Sequence, residues 1–443
     1  MDRDTAEPSV SSLPGDRAKR WVEYHHEVAA PSTYVYEFVL DATAPAAGPF
    51  CTDVDGNVLM DFTCHVASAP LGYNNPLILD RLGELELVDP LRIAGQDFYI
   101  SGGWPPEAPD GPGPSQLMHR LVEATEHFDF DRVFLSNSGA EAVENAIKVC
   151  YADGGHRAVT FEGAFHGRTL GALSLNRSKR NHRKGYPEVP GVLSVPYCGC
   201  HTECTCGWQT DGPGGNALAD RLHPKQGNLD PAEVAFIILE PVQGEGGYRI
   251  PNPTFIDDLQ AIIDEHDIRL IADEIQSGLG RTGEMWGIDH TPLEPDVICS
   301  AKGLRVGATI SKGSLFPEET GRISSTWGAG DIVGAMRGVA VLDAINEEDL
   351  LTNATDRGEQ FTEAMTDADP SGVEAVRGLG LMLALDFETK ELRDAVVDNA
   401  FDRGLLLLGC GYRTLRVLPP LDVTEREIDL AVSVLTKSIE AAN

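Results

Sequence analysis

The sequence predicts an α/β protein built on a mostly parallel, wound sheet, and three observations carry that expectation. From about Gln116 to Thr326 the pattern alternates between helix-like and strand-like runs: LMHRLVEATEHF, RVFLS, AEAVENAIKVCY, AVTFEG, AEVAFIILEP, PTFIDDLQAIIDEHD, RLIADEI and DVICSAK. Strands alternating with amphipathic helices wind into parallel βαβ units. The strand-like runs are short, apolar and followed by glycine or proline, too brief for helices. With 443 residues, 42% of them hydrophobic, the chain is long enough for one large domain and a smaller one.

The elements follow in order. Residues 1–15 are expected to be disordered. Residues 16–75 are expected to contribute an N-terminal segment to a small domain. Within them GPFCTDVDGNVLMDFT places Asp55-Gly56 between two apolar stretches, a hairpin signal. Residues 76–330 are assigned to the large domain, including a loop from Gly95 to Pro114 rich in Gly and Pro. Residues 331–443 complete the small domain with a helix near Gly334–Asn346, the strand-like GLGLMLALDFE and TLRVLPPLDV, and the helical EREIDLAVSVLTKSIEAA. The chain contains no internal repeat.

Charge narrows the function classes. Asp and Glu number 69 against 35 Lys and Arg, a formal net charge of -34, and the acids are dispersed rather than massed in a tail. Dispersed acid reads as solvated surface and disfavours nucleic acid and anionic membranes as partners. Such a surface suits high salt, where screening tames self-repulsion, so a halophilic protein is expected. The start, MDRDTAEPSVSSLPGD, lacks the basic head and apolar core of a signal peptide, and no apolar run approaches about 18 residues. Nine cysteines, four clustered and the rest scattered, fit a reducing cytoplasm.

Four separated stretches carry chemistry. In FLSNSGAEAVENAIKVC a strand runs into Ser138, Gly139 and Ala140 at a helix start, where backbone N–H groups and the helix dipole can hold a phosphate. An ordinary N-cap is the plainer alternative. In FEGAFHGRTLG, Phe165 and His166 lie in a small-residue loop with Arg168 two positions on; a core plug and a surface cation are the alternatives. In LIADEIQSGLGRTG, Asp273 and Glu274 end a strand side by side, so their side chains point to opposite faces. One of them is expected in the crevice at the carboxyl end of the sheet, where open α/β folds bind ligands. The nearby IILEPVQGEGG ends another strand at Glu240 and sets Glu245 in a glycine-rich loop. In VICSAKGLRVG, Lys302 follows an apolar strand; desolvation lowers an amine's pKa and makes it a better nucleophile toward aldehydes.

The order SGAEA, FHGRT, EPVQGEGG, DEIQ with GRTG, AK and STWG resembles the class III (ω-amino-acid) pyridoxal-phosphate aminotransferases, from about Tyr34 to Ile439. The resemblance implies fold type I and pyridoxal 5′-phosphate as cofactor. Lys302 matches the Schiff-base lysine that also shuttles the proton, and Asp273 the acid that pairs with the pyridine nitrogen, keeping the ring an electron sink. Gln276 matches the residue near the phenolic oxygen; Ser138, Gly139 and Ala140 match the phosphate cup. Phe165 matches the aromatic stacked on the ring, with His166 beside it in the cofactor site. Thr326 matches the threonine that reaches the phosphate in the neighbouring subunit, which implies at least a homodimer. Glu274 is left a structural place at the turn.

For substrates the resemblance implies an amino donor and a keto acid, 2-oxoglutarate. Arg168 matches the arginine for the donor's far carboxylate and Arg416 the one for the α-carboxylate of 2-oxoglutarate, each suited to bidentate contact. Glu245 matches the glutamate that pairs with that second arginine and releases it. Cys64, His65 and Ser68 fall where the family lines its substrate pocket. The stretches DFTCHVASAPLGYNNP and SSTWGAG look closer to 4-aminobutyrate and lysine 6-aminotransferases than to acetylornithine enzymes, so 4-aminobutyrate is the expected donor, with L-lysine and ornithine next. A racemase, aminomutase or decarboxylase of the same fold is a sibling alternative, and a non-catalytic metal-bearing interaction protein a remote one.

One stretch stands outside this reading. YCGCHTECTCGW groups Cys198, Cys200, Cys204 and Cys206 around His201. Four thiols so close can hold zinc or an iron–sulfur centre, although C-x-C is not the commoner C-x₂-C spacing. Free thiols or one redox disulfide are the alternatives.

Overall fold

The computed structural model describes residues 1–31, 38–84, 101, 103–108, 111, 113–200, 203–324 and 332–443. The expected hairpin forms: β1 (Phe50–Thr52) pairs antiparallel with β2 (Val58–Asp61), Phe50 opposite Met60. Gly56 at φ +87° makes the turn between them.

The large sheet has seven strands: β3 (Arg132–Ser136), β4 (Arg157–Phe161), β5 (Val192–Val195), β6 (Val234–Leu239), β7 (Arg269–Asp273), β8 (Val297–Ser300) and β9 (Gly307–Ser311). Their spatial order is β3-β9-β8-β7-β6-β4-β5. Only β9 runs against the others, pairing antiparallel with β8 and β3. All six residues of β6, VAFIIL, are buried, as expected for a central strand covered on both faces. The helix Gly139–Asp153 covers one face with Ala142, Val143, Ala146, Ile147 and Val149. The helix Pro253–His266 buries Phe255, Ile256, Leu259 and Ile262. It starts on the Asn252 side chain, which accepts from Thr254 N, with Pro253 in the first turn, and it stops at Asp267 in the left-handed region.

The smaller unit carries β10 (Val373–Leu379), β11 (Met382–Phe387), β12 (Leu405–Leu406), β13 (Leu408–Cys410) and β14 (Thr414–Val417). An antiparallel sheet runs β10-β11-β14-β13, while β12 joins the N-terminal hairpin beside β2. The two ends of the chain therefore meet.

That meeting corrects one expectation. Residues 1–15 are not loose: Arg3 forms ion pairs with Asp422 and Glu427, both at 2.8 Å, and Ser9 bridges Val58. Short local composition gave no sign of this, because the partners lie more than 400 residues away. Half of the loop Gly95–Pro114 falls outside the described residues. Among the described residues no helix is long and apolar enough to cross a membrane.

Candidate active site

Parallel strands deliver their carboxyl ends to one edge, and a cavity of about 400 Å³ opens there. Each of its main walls is the segment that directly follows a strand: Asn137–Ala140 after β3, Phe165–Arg168 after β4, Glu240–Glu245 after β6, Asp273–Gln276 at β7 and Ala301–Val306 after β8. Twelve of the residues singled out by sequence line it: Ser68, Ser138, Gly139, Ala140, Phe165, His166, Arg168, Glu240, Glu245, Asp273, Gln276 and Lys302.

Asp273 is buried, and its Oδ2 lies 2.7 Å from Nδ1 of the fully buried His166. Its Oδ1 accepts from Ile275 N at 3.2 Å. The other ring nitrogen, His166 Nε2, is buried without a hydrogen-bond partner. Glu274 points the other way, as strand alternation requires. Its carboxylate accepts from Ser277 Oγ at 2.6 Å, Gly287 N at 2.9 Å and Ile288 N at 2.7 Å.

Glu240 ties two walls together, accepting from Phe165 N at 2.9 Å and Gly244 N at 3.0 Å. Burial pushes its carboxyl up to about 7; the neighbouring His166 opposes that shift and Asp273 adds to it. Gln276 Oε1 accepts from Tyr248 Oη at 2.7 Å. The glycine loop makes room for this: a Cβ on Gly244 would sit 3.0 Å from Gln276 Nε2.

Lys302 is partly exposed where it meets the cavity and is otherwise enclosed by protein. That burial lowers its amine to about 8, helped by the Arg416 cation and opposed by Glu245, Asp273 and Glu240. Arg416, on β14, reaches across from the smaller sheet; its guanidinium lies 2.9 Å from Glu245 Oε1. The second Glu245 oxygen lies 2.8 Å from Lys179 Nζ. Burial disfavours the Glu245 carboxylate, yet Arg416 and Lys179 outweigh it and bring its pKa to about 2. Arg168 is exposed at the cavity wall.

Fit to pyridoxal phosphate can be judged on these atoms. The Gly139 and Ala140 N–H groups lie in the first turn of their helix, where no intrahelical acceptor exists, and both residues line the cavity. The buried Asp273–His166 pair has one unsatisfied end, and Lys302 offers an amine already lowered toward neutrality. The residues fit the group.

Some of the constellation was missed by sequence. Lys179 has no motif around it. Arg305 lines the cavity with φ +61°, its guanidinium 3.1 Å from Ser68 Oγ. Its signal was visible as an arginine within AKGLRVG, three residues after Lys302. Of the three pocket residues expected near the N-terminus, Ser68 lines the cavity, Cys64 is buried elsewhere and His65 is exposed against Tyr73 Oη at 2.9 Å. Thr326 and His201 lie outside the described residues. The cysteine cluster sits apart from the cavity, past the end of β5.

Comparison with known proteins agrees with this geometry. The family model for class-III aminotransferases matches residues 37–439. An acetylornithine aminotransferase from Synechocystis sp. is 34% identical over 420 residues, 90% of this chain and 89% of the relative. An alanine/serine racemase from Pyrococcus horikoshii is 29% identical over 97% of this chain and 92% of its own. A solved lysine aminotransferase from M. tuberculosis superposes with a TM-score of 0.81 at 26% identity, covering 96% of this chain and 99% of that one.

Proposed function

This chain belongs to the class III aminotransferases, and from that premise we propose that it moves the ω-amino group of a small amino acid to 2-oxoglutarate. Bound pyridoxal phosphate supplies an aldehyde that condenses with amines and a ring that withdraws electrons. The residues divide the remaining work. Gly139 and Ala140 N–H groups with Ser138 would hold its phosphate, and Phe165 would cover its ring. Asp273, with His166 behind it, would keep the ring nitrogen protonated, while Gln276 on Tyr248 would face the phenolic oxygen. Lys302 Nζ would carry the cofactor and then take the proton from the substrate carbon that bears nitrogen. A homodimer, in which Thr326 would reach the phosphate bound in the neighbouring subunit, belongs to the same reading.

The observation that carries the substrate side is the Glu245–Arg416 pair at 2.9 Å. Closed, it masks a cation from a donor that needs none near its amine; open, it presents a guanidinium fork to the α-carboxylate of the keto acid. Arg168, with Arg305 as a second cation of the wall, suits the donor's far carboxylate. The carboxylates among the described lining residues are all engaged: Glu240 by two N–H groups, Glu245 by two cations and Asp273 by His166. A free α-ammonium on the donor would meet no unengaged carboxylate among the described lining residues. This favours donors without one, 4-aminobutyrate or N-acetylornithine, over ornithine and lysine. 4-Aminobutyrate is the donor the sequence favours; N-acetylornithine matches the relatives' names.

The cofactor-loaded protein, mixed with each of these four amines in turn, should lose its visible absorption band with the first two far faster than with ornithine or lysine. Equal or greater rates with ornithine or lysine would sink the donor assignment. The racemase relative supports a second reading, in which alanine or serine is converted to its enantiomer. Chiral analysis of those two amino acids without any keto acid separates the readings.

A further inference from the structure

The thiols past β5 have no part in the reaction above. We propose that Cys198, Cys200, Cys204 and Cys206 hold one zinc ion in a closed, four-sulfur structural site.

The sulfur positions carry the argument. The Sγ atoms of Cys198, Cys200 and Cys206 all lie within 4.8 Å of one another. Cys204 Sγ stands 3.7 Å from Cys198 Sγ and 3.4 Å from Cys206 Sγ. A tetrahedron with Zn–S bonds of about 2.3 Å has sulfur–sulfur edges of about 3.8 Å; the edges from Cys204 to Cys198 and Cys206 lie near that length, and no side of the Cys198–Cys200–Cys206 triangle exceeds 4.8 Å. A disulfide would need about 2.05 Å and would leave two sulfurs over.

A backbone donor meets the cluster: Gln209 N donates to Cys204 Sγ at 3.4 Å. Such a donor stabilises a thiolate, the form that binds metal, and orients it as outer partners of a metal site do. Gly207, at φ +85°, turns the chain directly after Cys206, a conformation a side chain would strain. An all-sulfur tetrahedral set selects a soft ion and leaves no open position for water, so the site is structural.

What it clips is also visible. Asn252 donates from its N to Cys198 O at 2.8 Å and from Nδ2 to Cys200 O at 2.6 Å, while its own Oδ1 caps the helix Pro253–His266. Trp208, fully buried, donates to Asp258 of that helix at 2.8 Å. The same helix leads into β7 and Asp273. The zinc loop thus braces the element that carries the cavity's acid, whatever reaction the cavity performs.

The test is metal analysis of the full-length protein purified without chelator, with parallel samples of Cys204→Ser and Cys206→Ser. The proposal requires one zinc per wild-type chain, released together with four mercurial-reactive thiols, and its loss in both variants. Because the variants could fail to fold, wild-type protein exchanged into cobalt is the second measurement. It should show the sulfur-to-cobalt charge-transfer and intense d–d bands of a tetrahedral thiolate site. Absence of zinc after reconstitution, an iron centre in its place, or a chain lighter by two hydrogens from a disulfide among these cysteines would each overturn it.

Discussion

Two adjacent carboxylates, Asp273 as the last residue of β7 and Glu274 just past it, face different regions of the molecule. Glu274 is nearly inaccessible, and its oxygens take three donors, the Ser277 hydroxyl and the Gly287 and Ile288 N–H groups. Asp273 is equally buried, but it leans on a histidine whose far nitrogen has no partner. Buried polar groups that are fully satisfied by their own chain hold the fold. A buried pair with an unsatisfied end, beside a cavity and a lysine of lowered pKa, is poised for a ligand. The position of an acid along a strand therefore decides whether its charge belongs to structure or to chemistry.

The strongest way to break this contrast is at the cavity's nucleophile. Lys302→Ala should lower kcat by about 10⁴-fold, the upper range for a positioned proton-transfer group, with Tm little changed; steady-state rates within tenfold of wild type would end the assignment. Next comes the pair itself. Asp273→Asn should cost about 10²–10³-fold in kcat, as for loss of one aimed electrostatic partner, and leave thermal stability nearly intact. Glu274→Ala should do the reverse, losing about 1–3 kcal/mol because two buried N–H groups lose their acceptor, with kcat preserved in the folded fraction. If calorimetry and kinetics move together in both variants, the division between the two faces fails.

A smaller effect is expected at the edge of the site. Arg416→Lys replaces a planar fork by a point charge. It should raise KM for the keto acid by about 10- to 100-fold, the worth of about 1.5–3 kcal/mol in a charged hydrogen bond, while the half-reaction with the amine changes little. The mildest effect is in pH. Burial lowers the Lys302 amine from its ordinary value to about 8, so the neutral, nucleophilic form dominates above that pH and is lost below it. Capture of pyridoxal phosphate by the cofactor-free protein should therefore slow about tenfold per unit below pH about 8, as expected for a single titrating amine. Stopped-flow absorbance measures this, and a flat profile would place the amine's pKa elsewhere.

Much of the site was legible because the chain writes it in local motifs at strand ends. A run such as RLIAD declares a buried strand, and its last residue must face either the crevice or the turn. What was not legible depended on distance. Lys179 and Glu245 are 66 residues apart and meet only through the fold. Arg3 reaches the C-terminal helix in the same way, which is why a polar N-terminus read as loose. Arg305 was visible as a residue, but its place in the cavity follows from a left-handed backbone that the letters do not announce.

The central claim is that Lys302 is the covalent anchor of pyridoxal phosphate at the carboxyl edge of the sheet. Borohydride reduction of the cofactor-loaded protein, followed by proteolysis and mass spectrometry, tests it directly. The account predicts one pyridoxyl group fixed on Lys302. A modification on any other lysine, or none after full loading, would contradict it.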